Sequence, residues 1–137
     1  MAEKKALETN KAAIPGGPYS QAIIYNGIIY LSGQGPIDSQ TNQVVHGTIE
    51  QETELSMENI RIILEESGSS LSKVLQINAY LLNIREYGRF NEVYKGISQR
   101  NLLQEPAFRQ PDSLLISVLR SVRLPVSNTD TLLSCYV

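Results

Sequence analysis

The 137-residue sequence holds one cysteine, Cys135, and one histidine, His46. A lone cysteine excludes an internal disulfide framework, and a lone histidine excludes a Cys/His zinc cluster. Cys135 reads as a small core residue of a final strand, and His46 as a structural or surface residue of a polar loop. The sequence contains no Ser/His/Asp constellation, no P-loop and no dinucleotide fingerprint. No apolar run approaches the roughly 20 residues of a membrane span. Met1-Ala2-Glu3-Lys4-Lys5 lacks the apolar stretch of a signal peptide. Neither sign of charge dominates: 12 basic and 14 acidic side chains leave a net charge of -2, with a pI near 5.4. That balance argues against electrostatic nucleic-acid binding. The expectation is a cytoplasmic protein with no cofactor, no bound metal, no nucleic-acid partner and no membrane association.

What is present suits a single domain over residues 1–137. The residues are 42% hydrophobic and 19% charged, and a chain of this length buries roughly two-thirds of its unfolded surface. Residues 1–14 are polar and read as a loose lead-in. Pro15-Gly16-Gly17-Pro18 is a turn-prone entry to Tyr19-Ser20-Gln21-Ala22 and a strand through Tyr25. Asn26-Gly27 is a strong hairpin signal, with Ile28–Leu31 returning. Ser32-Gly33-Gln34-Gly35-Pro36 breaks that strand, and a polar loop follows to Gly47. Thr48 and Gln51 form a capping box. Ile49, Thr53, Ser56, Met57, Ile60, Ile63 and Leu64 then make a helical stripe, with Glu and Asn mostly opposite. Gly68 stops this helix, predicted over 49–67.

Val74 to Leu82 alternates, with Leu75, Ile77, Ala79 and Leu81 on one side. Tyr87, Phe90, Tyr94 and Ile97 predict a second helix from 85 to 100. Pro106 to Pro111 reads as loop. Leu114, Ile116, Val118, Val122 and Leu124 alternate as a strand, and Thr131–Val137 is the last strand. The predicted order is β-β-α-β-α-β-β: an α+β domain whose antiparallel-type sheet carries two helices on one face. The other face is apolar too and needs a cover, so an oligomer is expected.

Four pieces stand in order and at matching spacing. They are Gly17-Pro18-Tyr19-Ser20-Gln21-Ala22, Leu31-Ser32-Gly33-Gln34-Gly35-Pro36, Glu58-Asn59-Ile60 and Phe90-Asn91-Glu92-Val93-Tyr94. Over residues 11–94 they resemble the RidA family, also called YjgF/YER057c/UK114. The resemblance implies a chorismate-mutase-like (YjgF-like) fold, a homotrimer with pockets between subunits, and hydrolysis of reactive enamines and imines.

Beyond about residue 95 the chain departs from the family pattern. The family has Pro-Ala-Arg-Ser at the start of its penultimate strand, where the Arg binds the substrate carboxylate. Here stands Pro106-Ala107-Phe108-Arg109, with one residue inserted. Arg123-Leu124-Pro125 resembles the family's Arg-Leu-Pro at the end of that strand, and counting back from it places Ile116 at the Arg position. The family's last strand carries a Glu that helps activate water. Its position here is Thr131 or Leu132, and no Glu follows Glu105; Asp130 is the nearest carboxylate.

Imine hydrolysis needs a fixed arginine for the substrate carboxylate, a group that orients water, and a route for the proton. Arg109 is the first candidate clamp or an ordinary loop arginine. Arg120 is the rival; on an apolar strand face it meets either a ligand, a carboxylate or an interface. Tyr19, which resembles a family pocket residue, either holds water and substrate or packs. Ser32 and Gly33 sit at a strand end where backbone can approach a ligand. Asn91 matches an asparagine near the family's interface pocket; otherwise it faces solvent. The catalytic candidates are therefore Tyr19 and Arg109, and the substrate-binding candidates are Ser32, Gly33, Asn91 and Arg120. The leading function is hydrolysis of 2-iminobutanoate or 2-iminopropanoate to 2-ketoacid and ammonia, with a small carboxylate-bearing imine or ketoacid as ligand. The alternative is a non-catalytic ligand-binding or regulatory protein on the same scaffold, because the family Arg is displaced and the Glu is absent. Ribonuclease activity, historically attached to relatives, is the weakest reading: the pI is acidic and no histidine pair exists.

Overall fold

Asn26 and Gly27 both take positive φ, 51° and 75°, as the two central residues of a type I′ turn must. They join β2 (Ala22–Tyr25) to β3 (Ile28–Leu31), with Tyr25 opposite Ile28. The structure is a computed structural model that describes residues 3–81 and 83–97, and the backbone of 103–104, 108–109 and 131–136.

The N-terminal segment is not the loose lead-in its polarity suggests. Lys5–Leu7 form β1, antiparallel to β2, with Leu7 opposite Ala22. Behind it the Gln21 side chain, 1% exposed, works as a clamp. Its carbonyl accepts from Thr9 N at 2.6 Å, and its amide donates to Thr9 O at 3.0 Å and Ala13 O at 2.7 Å. These bonds satisfy backbone groups that would otherwise be orphaned beside buried Ala12 and Ala13.

Helix α1 (Ile49–Glu66) follows the capping box. Gln51 N donates to Thr48 Oγ1 at 3.3 Å and Thr48 N donates to Gln51 Oε1 at 3.0 Å. Such a cap is worth about 0.5–2 kcal/mol. At the other end Gly68, at φ 81°, lets its N–H reach Glu65 O and that of Ser69 reach Leu64 O, a Schellman closure that side chains rarely allow. All seven stripe residues are buried. Glu52 and Asn59, expected on the polar side, are buried with them.

After a single 3-10 turn at Leu71–Lys73 comes β4 (Gln76–Leu81), in which Ile77, Ala79 and Leu81 are buried. Leu75 was expected to share their side but precedes the strand and is exposed. A second 3-10 turn, Ile84–Glu86, leads into α2 (Tyr87–Ile97); the part of the predicted helix at 98–100 lies outside the described residues. Phe90 and Tyr94 stack on this helix with ring centroids 5.4 Å apart. Two short strands, β5 (Leu103–Gln104) and β6 (Phe108–Arg109), add parallel to β4. The second falls inside the stretch expected to be loop: an edge strand needs only a few free backbone groups, and the flanking prolines do not prevent it. The strand predicted around Leu114–Leu124 lies outside the described residues.

The last strand, β7 (Thr131–Tyr136), runs antiparallel to β4 over its whole length and meets β3 at Tyr30↔Tyr136. The sheet order is β1-β2-β3-β7-β4-β5, with β6 also on β4. Both helices pack on the face carrying Ala22, Ile29, Leu31, Ile77, Ala79 and Leu81, where Ile49, Met57, Ile60, Ile63, Leu64 and Phe90 complete the core. The predicted α+β architecture is the observed one, with parallel additions at one edge. The opposite face presents Ile23, Ile28, Tyr80 and the exposed Tyr25 and Tyr30.

One ion pair ties the helices together at their solvent side. Arg89 donates from Nε and Nη2 to the two Glu50 carboxylate oxygens, each at 2.7 Å. The Arg89 hydrogen bond holds the Glu50 pKa down, from 4.5 to about 2. A carboxylate with a depressed folded pKa contributes stability above its unfolded pKa and loses it as pH falls through the folded one. The difference in thermal midpoint between wild type and Glu50→Gln is therefore expected to be full at pH 6. It should shrink from about pH 4.5 to pH 2, and fall with salt because the pair is exposed. A difference that persists at pH 2 would contradict this account.

Candidate functional site

Pro18 fixes the turn that presents Tyr19. Tyr19 N donates to Gly17 O at 2.8 Å, so the chain reverses within three residues and the Tyr19 ring folds back over Gly17. A Cβ on Gly17 would stand 2.9 Å from Tyr19 Cε2 and 3.2 Å from Cδ2, so only glycine lets the ring lie there. The ring remains 40% exposed and borders a cleft of about 300 Å³ with Thr9, Ile14, Pro15 and Gln21. Gly17→Ala is expected to push the Tyr19 ring away with little change in thermal midpoint, because no buried atom moves. Tyrosine fluorescence and thermal denaturation, measured together, check this.

The second piece is sewn to the first. Ser32 N donates to Gln21 O at 3.0 Å, and Ser32 Oγ donates to Ser20 O at 2.6 Å. Gln34 Nε2 closes on Ser32 O at 3.0 Å. The Ser32 hydroxyl thus joins the Tyr19 turn to the Gly33 segment, which makes it a staple between them. Gly33 follows directly, half-buried. The other end of the segment is held from α1: Asn59 Nδ2 donates to Gly35 O at 3.2 Å and to Ile37 O at 2.8 Å.

The structure therefore brings Tyr19, Ser32 and Gly33 together. Asn91 is half-buried on α2 beside Phe90, and among the described residues no hydrogen bond joins it to the Tyr19–Ser32 pair. The Arg109 backbone lies on β6 opposite Leu81. From β3, which leads into Ser32, to β6 is three interstrand steps, through β7 and β4, roughly 14 Å at about 4.8 Å per step. Arg109 and the Gly33 segment thus lie apart within one chain. Arg120 and the competing Ile116 position lie outside the described residues. The described residues include no group of His, Cys, Asp and Glu placed to hold a metal ion, and no helix among them is long and apolar enough to cross a membrane.

Sequence reasoning missed three buried carboxamides, Gln21, Gln34 and Asn59, as the supports of this site. For Asn59 a signal existed: it stands three residues after Ser56 and four before Ile63, squarely on the buried stripe. Nothing local marked Gln21 or Gln34, whose partners are main-chain groups of loops. A groove of about 530 Å³ between Leu55, Leu71 and Ile97 lies on the helical side and touches none of the candidates.

The family model described as endoribonuclease L-PSP matches residues 9–120, extending past the point near residue 95 where the motifs stop. A RutC family protein of Pyrococcus abyssi is 39% identical over 84% of this chain and 93% of its own length. A protein of Dermatophagoides farinae named 2-iminobutanoate/2-iminopropanoate deaminase is 34% identical over 72% of this chain and 77% of its own. In three dimensions, a Rid family protein of Yersinia pestis superimposes with a TM-score of 0.82 at 26% identity, covering 98% of both chains. Together with the Tyr19 turn, the Ser32–Gly33 segment and the two-helix sheet, these matches show that the chain belongs to the RidA/YjgF family, the endoribonuclease L-PSP proteins.

Proposed function

We propose that this protein hydrolyses small 2-imino acids, of the 2-iminobutanoate and 2-iminopropanoate kind, to 2-ketoacid and ammonia. The observation that carries the reading is the joining of the Tyr19 turn, which borders the cleft, to the Ser32–Gly33 segment through the Ser32 hydroxyl and main-chain N–H. The relative named a deaminase supports the same chemistry. In the reaction, water adds to the imine carbon and the C=N electron pair passes to nitrogen, which takes up a proton. The carbinolamine then breaks its C–N bond, ammonia leaves, and the hydroxyl gives up its proton to become the ketone. No electron acceptor or metal is needed for that balance.

Arg109 is assigned to the substrate carboxylate, since a guanidinium meets a carboxylate with two parallel hydrogen bonds. The Tyr19 hydroxyl and the Gly33 main chain hold the water and the reacting end, and Asn91 supplies a further polar contact. β6 stands three interstrand steps from β3, which leads into the Gly33 segment, and in this reading that has a consequence: the clamp of one copy serves the cleft of another. A homotrimer with its sites between copies meets that need, and the uncovered Tyr25 and Tyr30 face supplies apolar surface for assembly.

A second reading, ligand binding without turnover, is favoured by one feature: no glutamate follows Glu105, where the family carries its water-activating carboxylate. One assay separates the two. Threonine dehydratase generates 2-iminobutanoate in the presence of semicarbazide, which traps it. Less trapped adduct when the purified protein is added establishes hydrolysis. Unchanged trapping by folded protein that still binds 2-oxobutanoate establishes the second reading.

A further inference from the structure

Asn59 is a polar side chain 1% exposed, on a helix that contributes no candidate to the site. Its amide has two protons, and both are used on carbonyls of one loop, at Gly35 and Ile37. At the other end of that loop, Gln34 Nε2 holds Ser32 O and Ser32 Oγ holds Ser20 O. Gly33 is thus suspended between two anchored points. A glycine has the widest conformational freedom of any residue, so a main-chain contact offered by Gly33 is well aimed only if its neighbours are fixed. We propose that Asn59 is a positioning residue: from α1 it sets the Gly33 main chain at the orientation that the reacting end of the substrate meets.

The inference rests on the proposed imine hydrolysis and goes beyond it by placing a residue outside the cleft in control of the cleft's main chain. Asn59→Asp keeps the shape but turns the donor into an acceptor facing two carbonyl oxygens, which pushes the loop away. Misplacing a reacting group by about 1 Å costs on the order of 100-fold in rate. The comparison variant is Ile63→Val, which loosens the same helix at a fully buried position and keeps both Asn59 donors to the loop carbonyls.

The experiment measures kcat, KM and thermal midpoint for wild type, Asn59→Asp, Asn59→Gln and Ile63→Val, together with binding of 2-oxobutanoate by titration. The expected result is a kcat reduced on the order of 100-fold in Asn59→Asp, partial recovery in Asn59→Gln, which restores the donor, and native kcat in Ile63→Val. Equal kcat losses in Asn59→Asp and Ile63→Val at equal loss of midpoint would reduce Asn59 to a stability residue and overturn the proposal, as would native kcat in Asn59→Asp. An inactive wild type that binds 2-oxobutanoate would overturn hydrolysis alone. The positioning role would then stand or fall on whether Asn59→Asp weakens binding and Ile63→Val does not. No binding by any form overturns both.

Discussion

Truncating Phe90 to alanine is expected to destabilise the protein by about 3–5 kcal/mol. Phe90 is fully buried, the largest such side chain among the described residues, and its ring stacks on Tyr94. The helix that carries it is described over 11 residues, and such a helix takes most of its stability from the face it packs rather than from propensity. It is held by what it buries: Phe90 and Tyr94 inward, Tyr87 and Ile97 at the margin. Removing the ring leaves a cavity between α1, α2 and the sheet, and the surrounding side chains close it only in part. Domains of this kind hold about 5–15 kcal/mol in total, so the loss is a large fraction of stability. Chemical denaturation followed by circular dichroism measures it; a change below about 1 kcal/mol would mean that the Phe90 site collapses without cost, contrary to close packing.

The second large effect concerns Arg109. If it clamps the substrate carboxylate, Arg109→Ala removes two charge-assisted hydrogen bonds of about 1.5–3 kcal/mol each. At about 1.4 kcal/mol per tenfold, kcat/KM is expected to fall by roughly 100-fold to 10,000-fold. Arg109→Lys keeps the charge but not the fork, and should recover only part of the loss. Arg120→Ala, run beside them, is expected to retain activity. The reverse pattern, with Arg120→Ala dead and Arg109→Ala active, would transfer the clamp to Arg120. Mixing Arg109→Ala with a Tyr19→Phe protein adds a test of the site's location. Two defective chains that recover activity on mixing place the two residues on different copies, whereas no recovery from an exchanging oligomer places them on one.

The elements legible in the sequence were those whose determinants are local. Helix α1 announces itself through Thr48 and Gln51 at one end, Gly68 at the other and a regular stripe between them. The β2–β3 hairpin is written into Asn26-Gly27, because few residue pairs tolerate positive φ at both positions. Strand β1 was missed because Lys5–Leu7 is three residues long, shows no alternation, and is ordered by Ala22–Ile24 and by Gln21, all far along the chain. Strand β6 was missed because Pro106 and Pro111 dominate its surroundings. Of the site, the Tyr19 turn and the Ser32–Gly33 segment were visible as motifs. Their joining was not, since it depends on serine and carboxamide side chains reaching main-chain atoms of another segment. That Arg109 and the Gly33 segment stand three interstrand steps apart could be seen only once β7 was placed between β3 and β4.

That placement of β7 bears on how the protein is made. The strand at the centre of the sheet is made after both of the strands it joins. Until residues 131–136 emerge, β3 and β4 each present an open row of backbone donors and acceptors, with an apolar stripe beside it. Such edges pair readily with other chains, and long-range closure of this kind is slow. A chain in which this strand has not yet emerged therefore exposes two half-sheets with open inner edges rather than a smaller working domain, and pairs with other chains more readily than one in which β7 is seated.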